Sequence, residues 1–275
     1  MFAVFVGSAG VVSGAQIQDS VLSKFYAPDE IPASFPIDAT AYRQALSSVA
    51  KFGDASGVVI EGGYFVTARH VAEYARRKNL HAIIAQDDNG QWHEVPIEET
   101  PFTSHSLPYD IAIYRIVGQF GGLPARLQTQ TPAPSEPAYG IGFVWDPNVK
   151  ETPDRKRVAL GSVANANIAG ESFCEYTNED DVTVIENWKL EAPGCAGTDY
   201  SQFKYHAREE RDPLLARSAM TFGMSGSPLF DKDGGLIGVG SNVLSSTPLL
   251  YDRNKLAVYV KSANIAKLIE ELEKH

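Results

Sequence analysis

Cysteine is scarce: the 275 residues contain only Cys174 and Cys195. No Cys-x-x-Cys pair or Cys/His cluster accompanies them, so nothing in their spacing suits a zinc or other metal site. Positive charge is short as well. Lys and Arg number 24 against 34 acids, leaving a formal charge of −10, and such a surface repels polyanions and excludes a nucleic-acid partner. Uncharged apolar runs of membrane-spanning length are missing beyond the N-terminus, so no membrane span is expected after the first residues. Heptads, fixed-period repeats and low-complexity tracts are also missing, which removes coiled coils and solenoids.

What is present suits a globular chain. Hydrophobic residues make up 44% and charged residues 21%, close to ordinary folded usage, and the length allows one large domain or two small cores. Glycine (23) and proline (16) are frequent enough to favour a turn-rich β protein over a helical bundle. The first 18 residues carry no charged side chain, and Ser13, Gly14 and Ala15 follow an apolar stretch. That pattern predicts a signal peptide over 1–15 with cleavage after Ala15, and a secreted or periplasmic location. The basic start of a signal is missing, the first basic residue being Lys24, and the alternative is a buried strand. In an exported protein Cys174 and Cys195 would form one disulfide; in a cytosolic one they would be two buried thiols.

An N-terminal extension over 16–44 ends in a segment, 38–46, of helix-like composition. Short β-branched and aromatic runs follow, separated by turns. Residues 56–60 and 64–68, joined by Glu61-Gly62-Gly63, read as a hairpin. Further strands are expected at 81–85, 92–97, 111–117, 138–144, 157–164, 182–186, 229–230, 236–239 and 256–260, which indicates an antiparallel sandwich or barrel. The proline-rich stretch 129–137 is the candidate linker between two halves. Ser262 is a candidate cap for a final helix with Ile265, Leu268, Ile269 and Leu272 on one face.

Three segments carry chemistry as a set. Val66-Thr67-Ala68-Arg69-His70 places a histidine directly after a strand. Tyr109-Asp110-Ile111-Ala112 places an aspartate ahead of an apolar strand. Gly223-Met224-Ser225-Gly226-Ser227-Pro228 places a serine in a glycine-flanked turn. A serine hydroxyl is a poor nucleophile until an imidazole takes its proton, and the imidazole needs a carboxylate on its far nitrogen. Glycines beside the serine let backbone N–H groups turn toward a developing oxyanion. Each piece alone is common in loops, but all three in the order His, Asp, Ser form a catalytic pattern.

At these residues the sequence resembles the chymotrypsin-like (trypsin-fold) serine peptidases, particularly the bacterial ones. Ser56-Gly57-Val58-Val59-Ile60 and the strand over 234–241 fit as well, and the resemblance covers about 49–260. It implies an all-β fold of two antiparallel six-stranded β-barrels with the active site in the cleft between them, plus a C-terminal helix over 262–274. The peptidase domain would occupy 45–275, with barrels at about 45–130 and 138–260. It further implies a serine endopeptidase acting on polypeptide substrates without a cofactor. His70 would be the general base and acid, Asp110 its orienting partner and Ser225 the nucleophile. The N–H groups of Gly223 and Ser225 would form the oxyanion hole. Ser241 would pair its backbone with the substrate, Ala219 would form the floor of the specificity pocket, and Val243 would narrow the pocket entrance.

The sequence also departs from the family. Val71 follows His70, where the animal enzymes have a disulfide cysteine, and Ser227 stands where many members have glycine. Only 15 residues follow Val260, so the peptide-binding module of Deg/HtrA enzymes is not expected. With no acid at the pocket floor and Gly240 where glutamyl-specific relatives carry histidine, a small or medium apolar side chain is the expected specificity. Two rivals remain. An α/β-hydrolase needs Gly-x-Ser-x-Gly with its histidine after the serine, whereas Ser227 breaks that motif and His275 is the only later histidine. A non-enzymatic binding protein on a peptidase scaffold would be expected to have lost a triad member. Among the remaining histidines, His105 is the alternative base, in an expected loop, while His81, His93 and His206 read as surface or structural residues. The seven acids between Glu171 and Glu191 read as a solvated loop around the cysteines.

Overall fold

The computed structural model describes residues 25–87, 89–103, 109–144, 156–164, 173–177, 183–187, 208–210, 213–221, 223–244 and 256–274. The candidate signal peptide, His105, His206, Cys195 and most of the acidic 171–191 stretch lie outside them.

A two-residue strand β1 (Phe25–Tyr26) is followed by helix α1 (Ala39–Ser48). Asp38 caps that helix, its Oδ1 accepting from the N–H groups of Thr40 and Ala41 at 3.0 and 2.8 Å. Six strands then build the first barrel: β2 (Val49–Phe52), β3 (Ala55–Ile60), β4 (Tyr64–Thr67), β5 (Ala82–Gln86), β6 (Trp92–Glu99) and β7 (Ala112–Ile116). They close in the order β2-β3-β4-β7-β6-β5, every pairing antiparallel. Helix α2 (Arg69–Arg77) interrupts the series directly after β4.

The second barrel uses β8 (Pro137–Phe143), β9 (Lys156–Val163), β13 (Leu214–Arg217), β14 (Pro228–Asp231), β15 (Leu236–Leu244) and β16 (Leu256–Lys261). The order β9-β13-β16-β15-β14-β8 is closed by pairing of β8 with β9 over Pro137–Phe143, and β1 adds to the edge of β9. A separate three-stranded sheet joins β10 (Phe173–Thr177), β11 (Thr183–Asn187) and β12 (Arg208–Glu210), and helix α3 (Ser262–Leu272) ends the chain. The all-β fold of two closed six-stranded antiparallel barrels with a C-terminal helix is therefore present, and the α/β-hydrolase alternative falls with it.

Both faces of β3, β4 and β8 are buried, which explains their unbroken apolar runs, whereas β6 alternates between buried and exposed residues. On β3, Val59 joins Phe65 and Tyr114 in the first barrel's cluster, while Val58 and Ile60 face a larger one that also takes Ile141, Leu160 and Val239 from the second barrel. Phe52 packs edge-on against Phe65 and Tyr114, with ring centroids 5.5 and 5.4 Å apart. The barrels thus share a continuous apolar seam, and loops at one edge of that seam carry the candidate site.

Two local expectations need correction. Ser262 does not cap α3: Lys261 occupies the cap position with no side-chain cap bond, and the Ser262 hydroxyl donates to the Leu236 carbonyl at 2.6 Å, pinning the helix to β15. Helix α2 was not anticipated from the sequence. Its Val71, Ala72 and Ala75 enter the first barrel's core, but Ala68 at its cap position offers no side-chain acceptor.

Candidate active site

His70 lies in the first turn of α2, where helical N–H groups lack intrahelical partners. Its own N–H donates to Asp110 Oδ1 at 3.1 Å. Asp110 therefore supplies, from 40 residues away, the cap that Ala68 does not. The second carboxylate oxygen accepts from His70 Nδ1 at 2.7 Å. The Ser241 hydroxyl donates to that same Oδ2 at 2.9 Å. The Asp110 side chain is fully buried, whereas the His70 ring is 28% exposed. A buried anion thus faces the positive end of a helix and accepts from three donors, an arrangement that favours its charged form. Because the carboxylate only accepts, Nδ1 carries the proton and Nε2 is left as the basic nitrogen.

Ser225 sits in the turn leading into β14. Gly223 and Gly226 on either side adopt positive φ, +86° and +79°, conformations that strain any side chain. The turn is closed by backbone bonds from Met224 N–H to the Thr221 carbonyl (3.0 Å) and from Ser227 N–H to the Met224 carbonyl (2.8 Å). Gly226 donates to the Gly240 carbonyl at 2.8 Å, which ties the turn to the residue preceding Ser241. The turn also abuts the first barrel. A Cβ on Gly226 would lie 2.2 Å from both the Ser56 carbonyl and Thr67 Oγ1, and 3.0 Å from the Ala68 N–H nitrogen. The serine turn is thereby pressed against the chain that leads into His70.

The specificity candidates fall on two segments. Ala219 is half-buried in the stretch after β13, between Ser218 and Met220. The Ser218 hydroxyl lies 3.3 Å from the Tyr259 hydroxyl. Burial pushes the Tyr259 phenol up to about 12 and the Ser218 bond opposes this, so Tyr259 stays neutral at physiological pH. Met220 reaches toward β15, its Cε lying 2.7 Å from where a Gly240 Cβ would stand. Val243 lies on β15 two residues past Ser241 and pairs with Ala257; its side chain is outside the described residues. Cys174 pairs with Glu186 and Glu209 on β10, and the proposed bond to Cys195 lies outside the described residues. No cluster of three or more His, Cys, Asp or Glu suited to a metal occurs among the described residues. Of the other histidines, His93 is exposed beside Asp87 and His81 beside Asn79.

Two contributions were missed in the sequence. The Ser241 hydroxyl reaches the Asp110 carboxylate, and Ser56 anchors the serine turn from the first barrel. Both are buried hydroxyls in otherwise apolar strands, and that mismatch was the available signal.

Comparison with known proteins agrees with the two-barrel fold. The trypsin-like peptidase domain matches residues 55–239, and the chain belongs to that family. No curated protein sequence matches the chain. Among solved structures, it is similar to Rv3671c from M. tuberculosis H37Rv, a serine-to-alanine mutant in an inactive form. The identity is 13%, the TM-score 0.51, and the match covers 89% of this chain and 97% of that one. It is also similar to a serine-to-alanine variant of the HtrA-type protease AlgW with a tripeptide, at 14% identity and a TM-score of 0.52. That match covers 86% of this chain but 64% of the other. No helix among the described residues is long and apolar enough to cross a membrane.

Proposed function

We propose that the protein is a serine endopeptidase that cleaves polypeptides through an acyl-enzyme on Ser225. The observation that carries this reading is the buried Asp110 carboxylate holding both the N–H and Nδ1 of His70, with Ser241 as a further donor. His70 Nε2 takes the Ser225 proton as Oγ attacks the scissile carbonyl. The Nδ1–H to Asp110 bond stabilises the imidazolium that results. The carbonyl oxygen becomes an oxyanion on the N–H groups of Gly223 and Ser225, and His70 then protonates the leaving amine. Water enters and repeats the sequence on the acyl-enzyme, releasing the acid product and restoring Ser225. No cofactor takes part.

The test is Ser225→Ala, which should lower kcat by roughly 10⁶. A fluorophosphonate probe should label only the wild type. Equal labelling of both proteins would remove Ser225 from this role, and no labelling of either would favour a binding protein on a peptidase scaffold.

For specificity, Ala219 forms the floor of the pocket beside Ser225, Val243 narrows its entrance, and Ser241 pairs its backbone with the substrate. With an uncharged alanine proposed at the floor, burying a lysine or arginine side chain against it would leave a cation unpaired. Ala, Val or Leu before the scissile bond fits better. Peptides differing only at that position test this, and a hundredfold preference for Arg or Lys would contradict it. We also assign 1–15 as a signal peptide of an exported protein, with Cys174 and Cys195 joined; intact mass of the secreted protein reads both.

A further inference from the structure

Ser56, fully buried on β3, meets the serine turn with both its hydroxyl and its backbone. Its hydroxyl donates to the Gly223 carbonyl at 2.7 Å and accepts from the Phe143 N–H at 2.8 Å. Its N–H donates to the Ser225 carbonyl at 3.0 Å, and its carbonyl accepts from the Thr67 hydroxyl at 2.7 Å. The first barrel therefore holds, through one residue, the carbonyl ends of both amino acids whose N–H groups serve the oxyanion.

We propose that Ser56 is a positioning residue for the oxyanion hole, its hydroxyl fixing Gly223 in the conformation that presents its N–H to the reacting carbonyl. This rests on the reading of Ser225 as nucleophile. Gly223 is in the left-handed region, with φ +86°, and glycine by itself holds no preference for that region over others. The peptide unit between Gly223 and Met224 is rigid and planar, so it turns only as a whole. Its carbonyl end is held by Ser56 and its N–H end by the Thr221 carbonyl at 3.0 Å, which anchors the C-terminal side of Gly223; the Gly223 N–H lies on the preceding peptide unit and is joined to this anchor through the Gly223 Cα alone. The direction of the Ser56 hydroxyl proton is also set: the Phe143 N–H occupies its oxygen as acceptor, which leaves the proton for Gly223. Removing the hydroxyl frees the Gly223 carbonyl while the backbone bond from Ser56 N–H to Ser225 survives. The loss therefore falls on one oxyanion donor, in the transition state, and leaves ground-state substrate contacts in place.

The experiment uses the full chain with Ser56→Ala, an apolar peptide substrate, and two ligands of the same sequence: a peptide boronic acid and the plain peptide. The boronate forms a tetrahedral adduct whose oxygen requires the oxyanion donors; the plain peptide does not. Deleting an oxyanion donor outright costs about 10²–10³ in kcat, so misplacing one should cost about tenfold. KM should stay within about twofold, the boronate should weaken by the same factor as kcat, and the plain peptide should bind as before. Ser56→Thr, which keeps a hydroxyl, should recover most of the loss. Wild-type kcat in Ser56→Ala, or equal weakening of boronate and plain peptide, would overturn the proposal. Should the alanine variant not fold, Ser56→Cys, of similar size but a weaker donor, must show the same split between kcat and KM. Failure of the underlying reading looks different: the wild type itself would neither turn over substrate nor prefer the boronate.

Discussion

Replacing Asp110 with asparagine changes one atom in a site where each carboxylate oxygen has assigned donors. Oδ1 accepts from the His70 N–H, and Oδ2 accepts from His70 Nδ1 and the Ser241 hydroxyl. Asparagine has one carbonyl oxygen to offer, so its NH₂ must face a former donor. Facing the His70 N–H would set the amide NH₂ against a backbone-fixed donor at about 3 Å in a buried place, costing about 1–3 kcal/mol. Facing Nδ1 costs less, because the imidazole can move its proton to Nε2 and accept the amide hydrogen, while the Ser241 hydroxyl can rotate. The second arrangement wins, and under the proposed mechanism it disarms the protein: with the proton on Nε2, His70 could not take the one on Ser225. Reaction then requires the unfavourable tautomer and an imidazolium without its counter-charge. The expected loss is about 10⁴ in kcat, or about 5 kcal/mol of transition-state stabilisation. KM should be little changed, since Asp110 is fully buried and touches no substrate. The assay is kcat and KM on one peptide, with imidazole ¹⁵N chemical shifts at neutral pH to assign the tautomer. A kcat within tenfold of the wild type would refute the reasoning, as would a lost kcat with Nδ1 still protonated.

The same contacts show why some of this molecule could be read from its sequence and some could not. Asp110, His70 and Ser225 could be singled out because each sits beside a local signal: a strand end, an apolar run, a glycine pair. The barrels were legible as short apolar runs, yet their faces were not. Val58, Val59 and Ile60 are all buried, so the alternation that would assign inside and outside is erased where the two barrels share a seam. Helix α2 was missed because its cap comes from Asp110, far along the chain. A helix capped through tertiary contact leaves no start signal in its own residues. Ser262 misled in the opposite sense. Its local context fits an N-cap, but its hydroxyl satisfies the Leu236 carbonyl instead. Ser56 shows the limit most clearly, since nothing around a serine in an apolar strand says that its partner lies 167 residues away.

Two further predictions probe the seam between the barrels. Gly226→Ala forces a Cβ to within 2.2 Å of the Ser56 carbonyl and Thr67 Oγ1 at a φ of +79°; urea unfolding should show a loss of more than about 3 kcal/mol, and a wild-type midpoint would contradict it. The other concerns Lys156, a buried amine where β9 meets α1. Its Nζ donates to the Leu46 carbonyl at 2.7 Å and lies 5.5 Å from the Trp92 ring centroid. Burial lowers its pKa from 10.5 to about 8. The unfolded chain therefore holds this proton more tightly than the folded protein. Between about 8 and 10.5 unfolding takes up a proton, so stability should rise as pH rises through that window. Below it the penalty is constant, and above it the penalty vanishes. The full span is worth roughly 3 kcal/mol, before the favourable contacts with Leu46 and Trp92 are removed by mutation. Lys156→Met should therefore flatten the pH dependence of Tm from 8 to 10.5, whatever it does to Tm at pH 7. Comparing slopes cancels the tyrosines and other lysines that titrate in the same range. If the variant keeps the wild-type slope, the amine is not held below its ordinary value, and the seam does not exclude water as its burial implies.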